Sequence, residues 1–199
     1  MAWDTEATRR KLLDAGARQF AAHGFAGAHL DAIGRDSGVN KERVYRYFGD
    51  KQGFFAAVLA DRLDGVLDIA PPAGEGPAAV GAYAGALFDR LAEAPDLARL
   101  LAWESLELPG TASSEHRALT CATMAAAIGD ALPDATLADA EQLLLSAIAL
   151  VTAWWTLTAL SGVVLTSPSQ HAERRTVIVQ QVTHLATAIA ELRRSGRSG

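Results

Sequence analysis

Residues 30–51, from Leu30 to Lys51, read LDAIGRDSGVNKERVYRYFGDK, and their spacing spells a helix, a tight turn and a second helix. Leu30, Ile33 and the small Gly34 give the first helix one apolar face, and Gly38 supplies the left-handed backbone at which such a helix stops. Asn40 stands as a cap, its side-chain oxygen placed to accept an N–H that opens the second helix. Val44 and Phe48, four apart, turn back toward the first helix. The opposite face is left to Lys41, Arg43, Tyr45, Arg46 and Tyr47. Three cations and two tyrosines are costly to bury and suit phosphate, sugar and base edges, so the second helix is a candidate recognition helix for duplex DNA. A helix pair alone is equally at home as a solvated corner of an ordinary bundle, and its flanks decide between the two.

Upstream, Arg9 to Gly24 reads RRKLLDAGARQFAAHG, with Leu13, Ala17 and Phe20 at helical spacing and Gly24 ending the run. Downstream, Asp50 is placed to cap a further helix that begins at Lys51, which brings free N–H groups and a cation to one spot, a ready anion site. With these flanks, the stretch from about Arg9 to Phe55, about a quarter of the chain, resembles the DNA-binding domain of the TetR family of bacterial transcriptional regulators. The Tyr45 and Tyr47 pair, and Phe48 ahead of the helix-starting Lys51, carry that resemblance. It implies that Tyr45, Tyr47 and Lys51 contact phosphates and that Asn40, Lys41, Glu42 and Arg43 face the major groove; Arg46, on the same outward face, and His29, at the cap of the first of the two helices, complete the expected DNA-binding set. Three positions depart from the family pattern. His29 stands where Ser or Thr commonly caps the second helix, Gly34 where Ala is usual, and Gly53 where Glu often closes a capping box. The two glycines are expected to cost about 1 kcal/mol each relative to Ala without altering the fold.

Charge supports the reading once it is divided. The chain carries 18 Lys and Arg against 23 Asp and Glu, a net of -5, but residues 1–53 hold nine cations and seven acids for +2, leaving -7 on the other 146. A basic end on an acidic body orients a protein that meets DNA with one end. A single cysteine, Cys121, excludes an internal disulfide and reads as a small apolar filler on a helix. Met1 to Lys11 is polar and charged, unlike a secretory leader, so a cytoplasmic protein is expected.

The 199 residues, half of them apolar, suffice for one small and one larger domain, with expected bounds 1–53 and 54–199. Ala and Leu dominate long stretches and no alternating strand pattern competes, which predicts an all-α chain of about nine helices. Breaks are expected at Ala70–Pro77, Glu93–Pro95, Pro109–Ser114, Gly129–Asp134 and Thr166–Ser169, and the Ser195–Gly199 tail is expected to be disordered. No Asp, Glu, Lys or Arg occurs between Glu141 and Glu173, and Leu143–Leu165 is long enough to cross a bilayer. Trp154 and Trp155 sit mid-run rather than at its ends, and Ser146, Thr152, Thr156, Thr158 and Ser161 dilute it, so a helix buried on several sides is expected instead.

Apolar seams at steps of four and three run through Leu150, Leu157 and Val164, and in the last helix, about Gln170–Arg194, through Ile178, Val182, Leu185, Ile189 and Leu192. These are expected to pair with their copies in a four-helix dimer interface, an arrangement the resemblance also implies; closing the monomer's own core is the competing use. The resemblance implies a small-molecule pocket in the C-terminal domain, for which Tyr83, Phe88, Trp103, Met124, Trp154 and Trp155 are wall material. Glu104 lies on a helical face with Leu97, Leu101 and Leu108, and a carboxylate there needs an arginine, a proton or a basic group on an effector. No phosphate-cradling loop, metal-spaced Cys or His set or nucleophile elbow is present, so no enzyme, metal or cofactor is expected. The expected function is a dimeric repressor released from a palindromic operator by a small organic effector. A helical interaction module whose helix-turn-helix no longer binds DNA is the alternative.

Overall fold

Glycine, proline and capping side chains set several of the element boundaries, among them Gly38 after α2, Pro95 at the start of α6 and Thr136 ahead of α8. The computed structural model describes residues 2–67, 69–110, 114–167 and 170–196. Among them lie ten helices and no strand: α1 (Ala2–Gly27), α2 (Leu30–Ser37), α3 (Glu42–Phe48), α4 (Lys51–Leu67), α5 (Pro77–Glu93), α6 (Pro95–Glu107), α7 (Ser114–Ala131), α8 (Leu137–Thr156), α9 (Thr158–Val164) and α10 (His171–Gly196). α1 is interrupted at Gly24, whose φ of 75° leaves the helical region. The expected breaks at Pro109–Ser114 and Thr166–Ser169 fall partly outside the described residues, as does the end of the expected tail, whose Ser195 and Gly196 close α10.

The chain forms two compact units, Met1–Leu67 with Ala94–Ser114, and Asp68–Glu93 with Glu115–Gly199. The boundary expected between residues 53 and 54 therefore falls inside α4, and α6 groups with the N-terminal helices.

In the first unit, Leu12, Leu13, Ala17 and Phe20 of α1 and Phe54, Phe55, Val58 and Leu59 of α4 are buried. Phe20 meets Phe55 edge-on at 5.0 Å and Phe54 at 5.6 Å, a packing of large rings that dominates the energetics of so small a core. Arg62 bonds Asp14 at 2.8 Å, joining α4 to α1, and Arg18 holds Asp36 of α2 through two bonds of 3.2 and 3.1 Å. Gly53 corrects the sequence reading. A methyl group there would collide with the backbone carbonyl of Phe48, so glycine is required by the tight turn between α3 and α4 rather than merely tolerated. At Gly34 the methyl would lie 3.0 Å from the Val39 carbonyl, close enough to offset part of the helix propensity it would add.

In the second unit α10 lies against α5, and the approach is made possible by Gly81 and Gly85. A side chain at Gly81 would meet Thr183 and the Val179 carbonyl, and one at Gly85 would meet Val179 and Arg175. The stripe Ile178, Val182, Ala186 and Ala190 is buried. This corrects the expected α10 seam: Ile178 and Val182 belong to the monomer's own core, Ile189 is half-buried, and Leu185 and Leu192 are 43% and 68% exposed. α8 opens with a capping box, Thr136 Oγ1 accepting the Asp139 N–H at 3.2 Å while Asp139 accepts the Thr136 N–H at 2.9 Å. Arg193 of α10 closes on the same carboxylate at 2.8 and 2.7 Å.

The apolar run expected to be one helix through Leu165 is broken at Leu157, where φ and ψ are -107° and 36°. Ahead of the break the hydroxyls of Thr152 and Thr156 donate to the carbonyls of Ile148 and Thr152, the back-bonding that bends helices. α8 is long and apolar enough to cross a membrane, and its Leu143, Leu144, Ala147 and Val151 are buried inside the unit. Leu150 is half-buried, whereas Leu157 and Val164 are 50% and 65% exposed.

Candidate nucleic-acid interface

The turn between α2 and α3 is built as its residues dictate. Gly38 takes φ 67° at the end of α2 and its N–H reaches the Arg35 carbonyl at 3.4 Å, while Ser37 Oγ donates to the Gly34 carbonyl and accepts the Val39 N–H, each at 3.2 Å. Asn40 Oδ1 accepts the Glu42 N–H at 3.0 Å and so satisfies one of the donors that open α3. Val44 is fully buried, while Phe48 is half-buried against Phe54 of α4 at 4.8 Å rather than against α2. That anchoring turns the other side of α3 outward. Lys41, Glu42, Tyr45 and Arg46 are exposed, Arg43 and Tyr47 are half-buried, and the Arg46 guanidinium lies 5.4 Å from the centre of the Tyr47 ring. His29 has the extended backbone of an N-cap and its carbonyl accepts the Ile33 N–H at 3.1 Å, but its side chain makes no capping bond.

Two of the cations are held within the unit. Lys41 Nζ lies 2.7 Å from Asp31 Oδ1 of α2. That bond raises the ammonium above its ordinary value and lowers the carboxyl below its own. Lys51 Nζ donates to the Ala26 carbonyl at 3.2 Å and sits 5.0 Å from the centre of the Phe25 ring. Burial holds this ammonium below its ordinary value, opposed by the Glu107 carboxylate. At the start of α4, Asp50 Oδ1 accepts the Gly53 N–H at 2.7 Å, the cap its position predicts.

The α6 contribution to this end of the unit is not visible in the sequence. Arg99 Nε and Trp103 Nε1 donate to the Ala21 carbonyl at 2.8 and 3.4 Å, and Glu107 Oε2 accepts the Ala26 N–H at 2.8 Å. Spaced four apart, the three side chains share one face of α6 and grip the last turns of α1 on both sides of Gly24. Gly24 itself is required twice, by its positive φ and by Trp103 and Glu107, which would lie 3.2 and 3.0 Å from a methyl group there.

The residues expected to wall an effector pocket are dispersed. Trp103 and Glu104 lie on α6 in the first unit. Glu104 is 2% exposed and is not without a partner. In the second unit Tyr83 and Met124 are buried, and burial pushes the Tyr83 phenol up to about 12. The Phe88 ring packs at a tilt against Trp155 at 4.8 Å and against His171 at 4.5 Å between centres, so Trp155 closes an aromatic cluster, while Trp154 lines a separate open groove.

A short helix-turn-helix seated on two longer helices, ahead of a second all-helical body, defines a DNA-binding regulator. The family model described as "Bacterial regulatory proteins, tetR family" matches residues 12–58, and that for "Tetracyclin repressor-like, C-terminal domain" matches residues 79–184, more than half of the chain. The crystal structure of putative transcriptional regulator SCO4942 from Streptomyces coelicolor is 30% identical, with a TM-score of 0.68 over 89% of this chain and 97% of that one. The chain belongs to the TetR family of bacterial transcriptional regulators. Among curated relatives it is 38% identical over 115 residues to the HTH-type transcriptional repressor SCO4008 of the same species, and 39% identical over 72 residues to the HTH-type transcriptional regulator SrpR of Pseudomonas putida. These alignments span 58% and 34% of the two relatives' lengths.

Proposed function

We propose that the protein is a ligand-responsive repressor that binds a palindromic operator as a homodimer and leaves it when a small organic effector occupies the second unit. The observation that carries this reading is the outward face of α3. Val44 and Phe48 fix one side of that helix to the domain, and Lys41, Arg43, Tyr45, Arg46 and Tyr47 are left to meet a duplex. Lys41 and Arg43 are the base readers, Tyr45, Tyr47 and Lys51 the phosphate contacts, with Asn40 and Glu42 facing the groove. Engaging DNA requires Lys41 to exchange Asp31, and Lys51 the Ala26 carbonyl, for nucleic-acid partners. Both are exposed or half-exposed bonds of the kind that water and salt already weaken.

A dimer is supported by the apolar surface of the second unit. Leu157, Leu160, Val163 and Val164 around α9 and Val177, Leu185 and Leu192 on α10 are between 40% and 83% exposed, and large apolar side chains exposed in number on two neighbouring stretches of chain are the kind that a partner surface covers. A twofold pairing would carry two α3 helices about 34–36 Å apart, one turn of DNA.

Release is a population shift, and an effector can drive it only through its differential affinity for the two states. α6 is the transmitter we favour, in addition to α4. It is continuous in sequence with α5 and α7 of the second unit, and through Glu107, Ala26 and Lys51 it ends one hydrogen bond from a phosphate contact. Mobility-shift titration against the DNA upstream of its own gene tests the assignment. Arg43→Ala is expected to erase about 1–3 kcal/mol of preference for operator over random DNA. Equal weakening on both DNAs would remove Arg43 from the base readers.

A further inference from the structure

Gly34 stands one turn after Asp31 on α2, where a methyl group would lie 3.0 Å from the Val39 carbonyl and 3.5 Å from the Lys41 backbone nitrogen. Its bare backbone lets the chain enter α3 close against α2. The ion pair that this approach creates is short, with Lys41 Nζ 2.7 Å from Asp31 Oδ1, although both side chains are exposed. Arg43 and Arg46, the other cations on the outward side of α3, pair with no carboxylate among the described residues. Asp31 does not depend on Lys41 alone. After the Lys41 bond, which acts most strongly, Arg35 one turn along α2 and His29 also hold its carboxyl below the ordinary value. Asp31, Arg35 and Lys41 are the charged residues around an open cleft of about 420 Å³ at this turn.

We infer that Asp31 sets the specificity of the DNA contact by withholding Lys41 from phosphates: the lysine leaves the carboxylate for a matching base edge and stays with it on any other duplex. Nonspecific binding is electrostatic, each phosphate contact displacing a condensed counterion. Trading an exposed carboxylate for an exposed phosphate oxygen gains little, because the charge finds a like partner in the same solvent. At the operator the balance differs. An aligned guanine offers O6 and N7 together, a contact worth about 5- to 150-fold in discrimination, against about fivefold at most for an exposed ion pair. When Lys41 departs, Arg35 and water take over the carboxylate, so no charge is stranded. Asp31 is thus a positioning residue that acts through Lys41 rather than on DNA. The inference rests on the repressor reading and deepens it, naming a residue outside the contact set that decides how well operator is told from random sequence.

The test is fluorescence-anisotropy titration of the full chain on a random duplex and on the fragment upstream of its own gene, at several salt concentrations. Asp31→Asn should bind random duplex about two- to fivefold more tightly for each chain engaged, and steepen the fall of log affinity with log salt by about 0.9 per chain as the freed lysine takes a phosphate. Affinity for the operator fragment should rise less, so the preference for operator falls. In a Lys41→Gln background the same Asp31→Asn change should have no effect on random duplex. Glu93→Gln frees Arg90 from a similarly exposed pair at 3.1 Å in the second unit and should bind DNA as the wild type does. Thermal melts report separately what the first turn of α2 loses with Asp31. An unchanged affinity of Asp31→Asn for random duplex, an equal gain on both DNAs, or a gain that persists without Lys41 would overturn the inference. A wild type that holds the fragment near its gene no better than random duplex would sink the repressor reading instead, and the random-duplex comparison would still decide whether Asp31 withholds Lys41.

Discussion

Replacing Gly53 with alanine separates two accounts of the α3–α4 corner. By helix propensity alone the change is favourable, since alanine in a helix is better than glycine by about 1 kcal/mol, and less in a first turn. The structure reverses the sign. The new methyl would run into the Phe48 carbonyl, which is backbone and already accepts the Asp50 N–H at 3.0 Å, so no side-chain rotation relieves the contact. Forced overpacking costs about 1–3 kcal/mol, and the Asp50 cap on the Gly53 N–H, itself worth about 1 kcal/mol, is strained by the same shift. The net expectation is a loss of about 1–2 kcal/mol, which lowers the thermal midpoint of a chain this size by about 2–8 °C. Gly129→Ala is the control, because a methyl group there meets nothing within 4 Å and the residue lies in α7; it should melt at or slightly above the wild type. Circular dichroism melts of the three proteins decide. A Gly53→Ala variant that melts no lower than wild type would refute the close approach and restore propensity as the controlling term. Because the corner also sets Lys51 relative to α3, the same variant should bind operator more weakly at temperatures where it remains folded.

Other outcomes follow from the same geometry. Lys51→Ala should weaken operator and random DNA alike and flatten the dependence of log affinity on log salt by about 0.9, one phosphate contact, in filter-binding titrations. Glu107→Ala removes a charge-assisted bond to the Ala26 N–H on an exposed rim and should cost about 1 kcal/mol or less in urea unfolding while lowering affinity for DNA; unchanged DNA binding would detach α6 from the interface. Tyr83 has its folded value raised to about 12 from about 10, so its contribution to stability is intact below pH 10 and is lost as pH rises through 12. Urea midpoints of wild type relative to Tyr83→Phe should therefore fall across that window, and parallel curves would contradict the burial of the phenol. Leu160→Glu together with Val164→Glu places charges on the exposed apolar face and should convert a sedimenting dimer into a 20.9 kDa monomer.

The helix-turn-helix was legible because its signals are local. Asn40 acts within two residues of itself, and Gly38 and Asp50 within three, so their types alone predict the turn and the caps that the structure contains. Gly53 was misread because its obligation comes from a carbonyl five residues away that only the folded corner brings over it. The α10 seam failed for a related reason. Ile178 and Val182 share a four-three spacing with Leu185 and Leu192, but Gly81 and Gly85 on α5 let α10 close on one stripe and leave the other outside. Trp154 and Trp155 are adjacent in sequence, so a helix must send them apart, one to the groove and one to Phe88. The service of α6 to the first unit rests on contacts with residues about eighty positions earlier, which no periodicity encodes.

The most direct measurement of the central claim is retention of DNA from the native locus by the purified chain as a function of salt. The account predicts saturable binding at two chains per site, with log affinity falling linearly as log salt rises and a fragment near its own gene held more tightly than random duplex. Absence of salt-sensitive retention of every fragment tested would contradict it.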